Sequence, residues 1–236
     1  MTTTPEDLRK LLCGAPIAHR GLWRPDGPPE NSLAAFEAAC AAGYGIELDV
    51  RLSDDGEAMV FHDEDLKRMT GARGRMGLLT TAQLGELKLA GTDEPIPTLA
   101  QVLACVDGRG LLLIELKTPL GGEGPLEARV AELLDSYNGP AAVIGFNPVS
   151  HAWFVEHRPD ILRGLNLERL QGAETAIAHA KPLFLLPAKT LVPLPVTLGM
   201  FRSVVWTVRS FGDAKAMAGR ADNIIFEGFR PQGSQA

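Results

Sequence analysis

Short apolar runs with the make-up of buried strands recur along almost the whole chain, with helix-like stretches between them. The runs fall at 16–19, 45–50, 58–61, 111–115, 142–146, 161–165, 182–186, 203–207 and 223–226. Between them stand an Ala-rich stretch, SLAAFEAACAA, capped by Asn31 or Ser32, and helical segments at 98–106, 125–136, 149–157, 172–179 and 212–218. Strands that alternate with helices must run parallel, because each helix returns the chain to the same end of the sheet. Two architectures meet that demand, the closed barrel and the open doubly wound sheet. The open sheet usually opens with a glycine-rich turn of the GxGxxG kind after its first strand. Here that turn reads His19-Arg20-Gly21-Leu22-Trp23, which lacks the spacing. An α/β fold of the TIM-type (β/α)8 class is expected.

The 236 residues suit one barrel of roughly 250, and no Pro/Ser linker divides them, so 1–236 reads as a single domain. Arg51 to Gly56 predicts a tight turn into a short extra strand. Residues 63–97, polar and Gly-rich, read as a short insertion after the second strand, lying over the barrel mouth. Thr4-Pro5-Glu6-Asp7 carries the marks of a helix start, giving an amino-terminal helix over 4–12. A net charge of -6 with no basic stripe argues against nucleic acid or an anionic membrane as partner. No apolar run reaches the roughly 20 residues that span a bilayer, and no secretory leader is visible, so no stable membrane insertion is expected. Cys13, Cys40 and Cys105 are scattered and odd in number, which fits free thiols in the cytoplasm.

The charged residues at strand ends are the informative ones. They are His19-Arg20, Glu47 with Asp49, His62-Asp63, and Glu115 with Lys117. In barrels this carboxyl end of the strands carries the chemistry. Side chains two apart on a strand share a face. Glu47 and Asp49 therefore point inward together, as do Glu115 and Lys117, while Ile46, Leu48, Val50, Ile114 and Leu116 face the helices. Three inward carboxylates repel one another and resist ionisation unless a cation compensates them. An all-oxygen set favours one hard divalent cation, Mg²⁺ or Ca²⁺, over zinc. Three carboxylates, one divalent ion, Arg20 and Lys117 sum to one positive charge, which a phosphodiester monoanion would neutralise.

Read together, these residues resemble the glycerophosphodiester phosphodiesterase family. The strings are Ala18-His19-Arg20-Gly21, Pro29-Glu30-Asn31-Ser32, Glu47-Leu48-Asp49-Val50, Asp55-Gly56 and Phe61-His62-Asp63. Then come Leu66-Lys67-Arg68-Met69-Thr70-Gly71, Ile96-Pro97-Thr98-Leu99 and Ile114-Glu115-Leu116-Lys117, with looser matches at Phe146-Asn147-Pro148 and Trp206-Thr207-Val208. The resemblance implies a phosphoric diester hydrolase that splits small glycerophosphodiesters into an alcohol and glycerol phosphate. It implies an ion held by Glu47, Asp49 and Glu115, an acid–base pair of His19 and His62, and phosphate contacts from Arg20 and Lys117. Which histidine is the acid is not fixed by the sequence, nor is the oligomeric state. Two departures stand out: the final strand ends in Phe226-Glu227 where relatives carry a Thr-Asp type string, and Pro231 comes late.

Other residues have two readings each. Trp206 packs on substrate carbons or in the core. Glu30 supports His19 or Arg20 from behind, or is simply an acid at a helix start. The loop 22–28, with Trp23, Arg24 and Asp26, is expected to shape the substrate pocket. Arg73 and Arg75 read as a solvated loop, and His151, His157 and His179 belong to no constellation. The rival functions are a lyase or phospholipase D-like enzyme releasing a cyclic phosphate, and a non-catalytic barrel that binds phosphometabolites.

Overall fold

The computed structural model describes residue 10 and residues 12–231. Among the described residues there are nine strands: β1 Ile17–His19, β2 Gly45–Leu52, β3 Ala58–Val60, β4 Leu112–Leu116, β5 Ala141–Gly145, β6 Arg163–Leu167, β7 Phe184–Pro187, β8 Arg202–Val208 and β9 Asn223–Phe226. Eight of them pair in parallel in the order β1-β9-β8-β7-β6-β5-β4-β2, and β1 pairs with β2 to close the ring. Only β3 is antiparallel; it folds back on β2 through the tight turn at Ser53–Gly56. The expected TIM-type barrel is the fold.

The period-2 alternation of the strands separates two apolar layers. Ile46, Leu48, Val50, Leu112, Ile114 and Leu116 pack outward with Phe36, Val102 and Val130 from the helices. Ile17, Leu113, Ile144, Phe184, Leu186 and Ile225 fill the barrel interior, and Leu12 joins them. The helix expected over 4–12 otherwise lies outside the described residues. The excursion between β3 and the helix Leu99–Val106 carries its own small core of Phe61, Leu66, Met76, Leu84 and Leu89.

Helices start where the sequence supplies caps. Ser32 caps Leu33–Ala41, Thr98 forms a capping box with Gln101, and Asn147 and Ser210 cap Pro148–His157 and Phe211–Met217. Among the described residues no α-helix follows β7. A 3-10 turn at Lys189–Leu191 and an apolar segment replace it, with Leu191, Leu194 and Leu198 covering the sheet. β6, the fifth strand of the barrel, is displaced from expectation. It runs Arg163–Leu167 rather than 161–165, because Ile161 closes a turn on the Arg158 carbonyl.

Candidate active site at the barrel mouth

His19 ends β1, and the chain then turns through Arg20 and Gly21, both at positive φ (59° and 83°). A Cβ at Gly21 would come within 2.9 Å of Ala35 Cβ, so only glycine lets the turn lie against the helix Leu33–Ala41. Arg20 pays for a left-handed backbone that a non-glycine residue rarely adopts. In return, its amide donates to Glu47 Oε2 at 3.1 Å while its guanidinium lies 3.2 Å from Asp49 and 2.9 Å from Glu30.

The Glu30-Asn31-Ser32 string acquires a physical meaning here. Ser32 is the helix cap. Asn31, at φ 57°, donates from Nδ2 to Asp49 Oδ2 at 2.8 Å and accepts from the Asp49 amide. Glu30 accepts from Arg20 and from Arg68, at 2.6 Å and 3.1 Å for the latter. The Glu30 carboxylate thus touches Arg20 and makes no hydrogen bond or ion pair with His19.

Glu47, Asp49 and Glu115 converge. Their ligand-capable oxygens lie within 4.8 Å of one another, and all three residues are buried. Lys117 Nζ lies 2.9 Å from Asp49 Oδ1 and also contacts Glu115. Burial, then repulsion from Asp49, pushes the Glu47 carboxyl up to about 8. Asp49 is equally buried, yet Lys117 and Arg20 hold it below the usual carboxylate range. Glu47 Oε1 is buried without a hydrogen-bond partner. A crowded carboxylate trio with one orphaned oxygen and an acid that resists ionisation fits a hard divalent cation.

Both histidines are oriented the same way. His19 Nδ1 is 2.6 Å from Glu227 Oε2, and His62 Nδ1 is 2.7 Å from Asp63 Oδ1. Each ring therefore keeps Nε2 for the cavity that both line. Burial pulls His19 down, but the Glu227 hydrogen bond and the Glu47 charge outweigh it and raise its pKa. For His62 burial prevails over the attraction of Asp49, and its pKa falls. Arg68 holds Asp63 from behind, with 2.5 Å and 3.1 Å contacts.

A cavity of about 170 Å³ joins these groups to Ile144, Phe146, Asn166 and Trp206 on the far wall. Trp206 lies on a bulge where the β8–β9 register shifts between Val205 and Val208. Its Nε1 donates to the Leu186 carbonyl at 2.6 Å, and Phe146 meets its ring edge-on at 5.6 Å between centroids. Trp206 thus faces the cavity and is pinned to the core at once.

The loop 22–28 does not line this cavity. It folds back on itself, with Arg24 and Pro28 bonded, and borders a separate cavity of about 510 Å³ against Phe226–Arg230. Glu227, Arg209, Arg68 and Asn166 carry no site role in the sequence reading, and the one role given there to Asn31 is that of a candidate helix cap. Glu227 and Arg209 pair at 3.1 Å beside His19. The inward alternation of β9 carries on through Ile225 to position 227, and that was the available signal. Of the histidines set aside, His151 is fully buried with Nε2 3.1 Å from the Gly145 carbonyl, and it does not line the cavity.

The sequence profile of the glycerophosphoryl diester phosphodiesterase family matches residues 19–153. A glycerophosphodiester phosphodiesterase of Bacillus altitudinis is 32% identical over 203 residues, covering 80% of this chain and 79% of that protein. One from Caldanaerobacter subterraneus is 36% identical over 138 residues, 54% of this chain and 55% of that protein, so the chain matches about half its length. An Oleispira antarctica phosphodiesterase, solved with the product sn-glycerol-3-phosphate, superposes with a TM-score of 0.81 at 25% identity, over 89% of this chain and 91% of that one.

Proposed function

Since the chain belongs to the glycerophosphoryl diester phosphodiesterase family, we propose that it hydrolyses glycerophosphodiesters to an alcohol and glycerol phosphate, with one divalent cation and two histidines. The observation that carries this reading is the meeting of Glu47, Asp49 and Glu115 at a cavity lined by His19, His62, Arg20 and Lys117. Mg²⁺ or Ca²⁺ held by the three carboxylates would withdraw charge from a phosphate oxygen as phosphorus becomes five-coordinate.

The chain's own groups do the rest. Arg20, fixed by Glu30 and Asp49, offers a planar fork of donors to phosphate oxygens. Lys117 is a nearby point charge. His19 and His62 present Nε2 as the acid–base pair, one accepting a proton from the nucleophile and the other donating one to the leaving alcohol. Their carboxylate partners fix the ring orientation, so each proton is held at a defined atom. The nucleophile is water, or the glycerol hydroxyl beside the phosphate. In the second case proximity contributes on the order of 7 kcal/mol in favourable systems.

Turnover of glycerophosphocholine, glycerophosphoethanolamine and glycerophosphoglycerol, with and without added Mg²⁺ or Ca²⁺ and followed by phosphorus NMR, tests the reading. Glycerol phosphate formed only with the ion is expected. A persistent cyclic phosphate would make the enzyme a lyase, and binding without turnover would make it a non-catalytic barrel. Among the described residues no helix is long and apolar enough to cross a membrane. Free thiols at Cys40 and Cys105 support our reading of a cytoplasmic enzyme.

A further inference from the structure

The cavity is lined by a buried polar side chain that the phosphate chemistry leaves unused and that has an unpaired atom. Asn166 lies on β6, is 6% exposed and lines the cavity, and its Oδ1 has no hydrogen-bond partner. Its neighbours Leu165 and Leu167 belong to the outer apolar layer, so the alternation aims Asn166 inward. Beneath it Gly164 lies under the Phe184 ring, which an added Cβ would approach to 2.4 Å. The amide therefore stands on an apolar floor, where no other group among the described residues satisfies its oxygen. A buried acceptor left unpaired is costly and rare, and beside a substrate cavity it points to a ligand.

The topology says which part of the ligand. In the closed ring, β9, β8 and β7 separate β1 from β6 on one side, and β2, β4 and β5 on the other. Asn166 is thus diametrically opposite His19. The phosphate-binding groups sit on or just beyond β1, β2 and β4, so a bound glycerophosphate must cross the mouth, and its far end meets β6. A hydroxyl both donates and accepts, which is what a primary amide needs whichever way its two atoms are assigned. Resting on the reading above, we propose that Asn166 binds the terminal glycerol hydroxyl, the one farthest from phosphorus, and makes that free hydroxyl a requirement for the substrate.

Calorimetric binding to the full chain in Mg²⁺ tests this without turnover. The ligands are sn-glycerol 3-phosphate, 2-hydroxypropyl phosphate, which lacks the terminal hydroxyl, and 3-hydroxypropyl phosphate, which lacks the middle one. Wild type should bind 2-hydroxypropyl phosphate roughly ten- to hundredfold more weakly than glycerol phosphate. Asn166→Ala should bind the two within about threefold of each other while keeping wild-type affinity for inorganic phosphate. Equal wild-type affinity for the two organic ligands overturns the proposal even if the variant fails to fold. So does a loss that follows the middle hydroxyl instead. Preference for the terminal hydroxyl in a protein that cleaves no diester would sink the phosphodiesterase reading and leave this one standing.

Discussion

Glu227→Gln keeps the shape of the side chain that orients His19 and removes its charge. The wild-type pair is 2.6 Å apart, and both side chains are largely sheltered, at 14% and 17% exposure. Glu227 itself is held down at about 2, first by the His19 hydrogen bond, so it is ionised wherever the enzyme works. A hydrogen bond to a charged group in such a setting is worth about 1.5–3 kcal/mol. If that orientation is needed in the transition state, kcat should fall about ten- to hundredfold. The pH profile should move as well. Glu227 raises the His19 pKa, so neutralising it shifts the His19 limb of the kcat profile toward lower pH. Glu227→Asp, which keeps the charge on a shorter arm, should recover part of the rate and return the limb toward its wild-type place. Steady-state kinetics from pH 5 to 9 for the three proteins checks this. A Gln variant with wild-type kcat and an unmoved profile would refute the positioning role.

His19→Ala and His62→Ala should each lower the turnover rate by about 10² or more while the fold, read by circular dichroism, is kept; near-wild-type turnover in either would remove that residue from the mechanism. His151 gives a prediction about stability rather than chemistry. Burial holds its pKa down at about 4, so the folded state keeps it neutral while the unfolded chain protonates near 6.5. Its contribution is complete above pH 6.5 and is lost as pH falls toward 4. At pH 5 the loss is about 2 kcal/mol, and His151→Gln should remove that much of the difference between urea unfolding at pH 7.5 and pH 5. An unchanged difference would show that His151 does not carry it.

The barrel was legible because its strands are continuous apolar runs and its helices carry their own caps. Eight of the nine expected strands were recovered in place, with ends differing by a residue or two. The sixth slipped because Asn166 interrupts its apolar run, and a strand read by hydrophobicity ends one residue before it. The same residue was missed as a site candidate for the same reason. Carboxylates in alternation on β2 and β4 were readable, since period 2 places them on one face. Glu227 was not, because its partner His19 is 208 positions away and nothing local marks the pairing. The pocket role expected of loop 22–28 failed because its own turn bonds, not its composition, decide where Trp23 and Arg24 go.

Direct titration of the metal-stripped protein with Mg²⁺ and with Ca²⁺, beside Glu115→Gln and Asp49→Asn, addresses the carboxylate trio itself. One ion bound per chain, with binding lost or greatly weakened in both variants, is the expected result. Undiminished ion binding by both variants, or none by the wild-type protein, would contradict the assignment of a metal to this cluster.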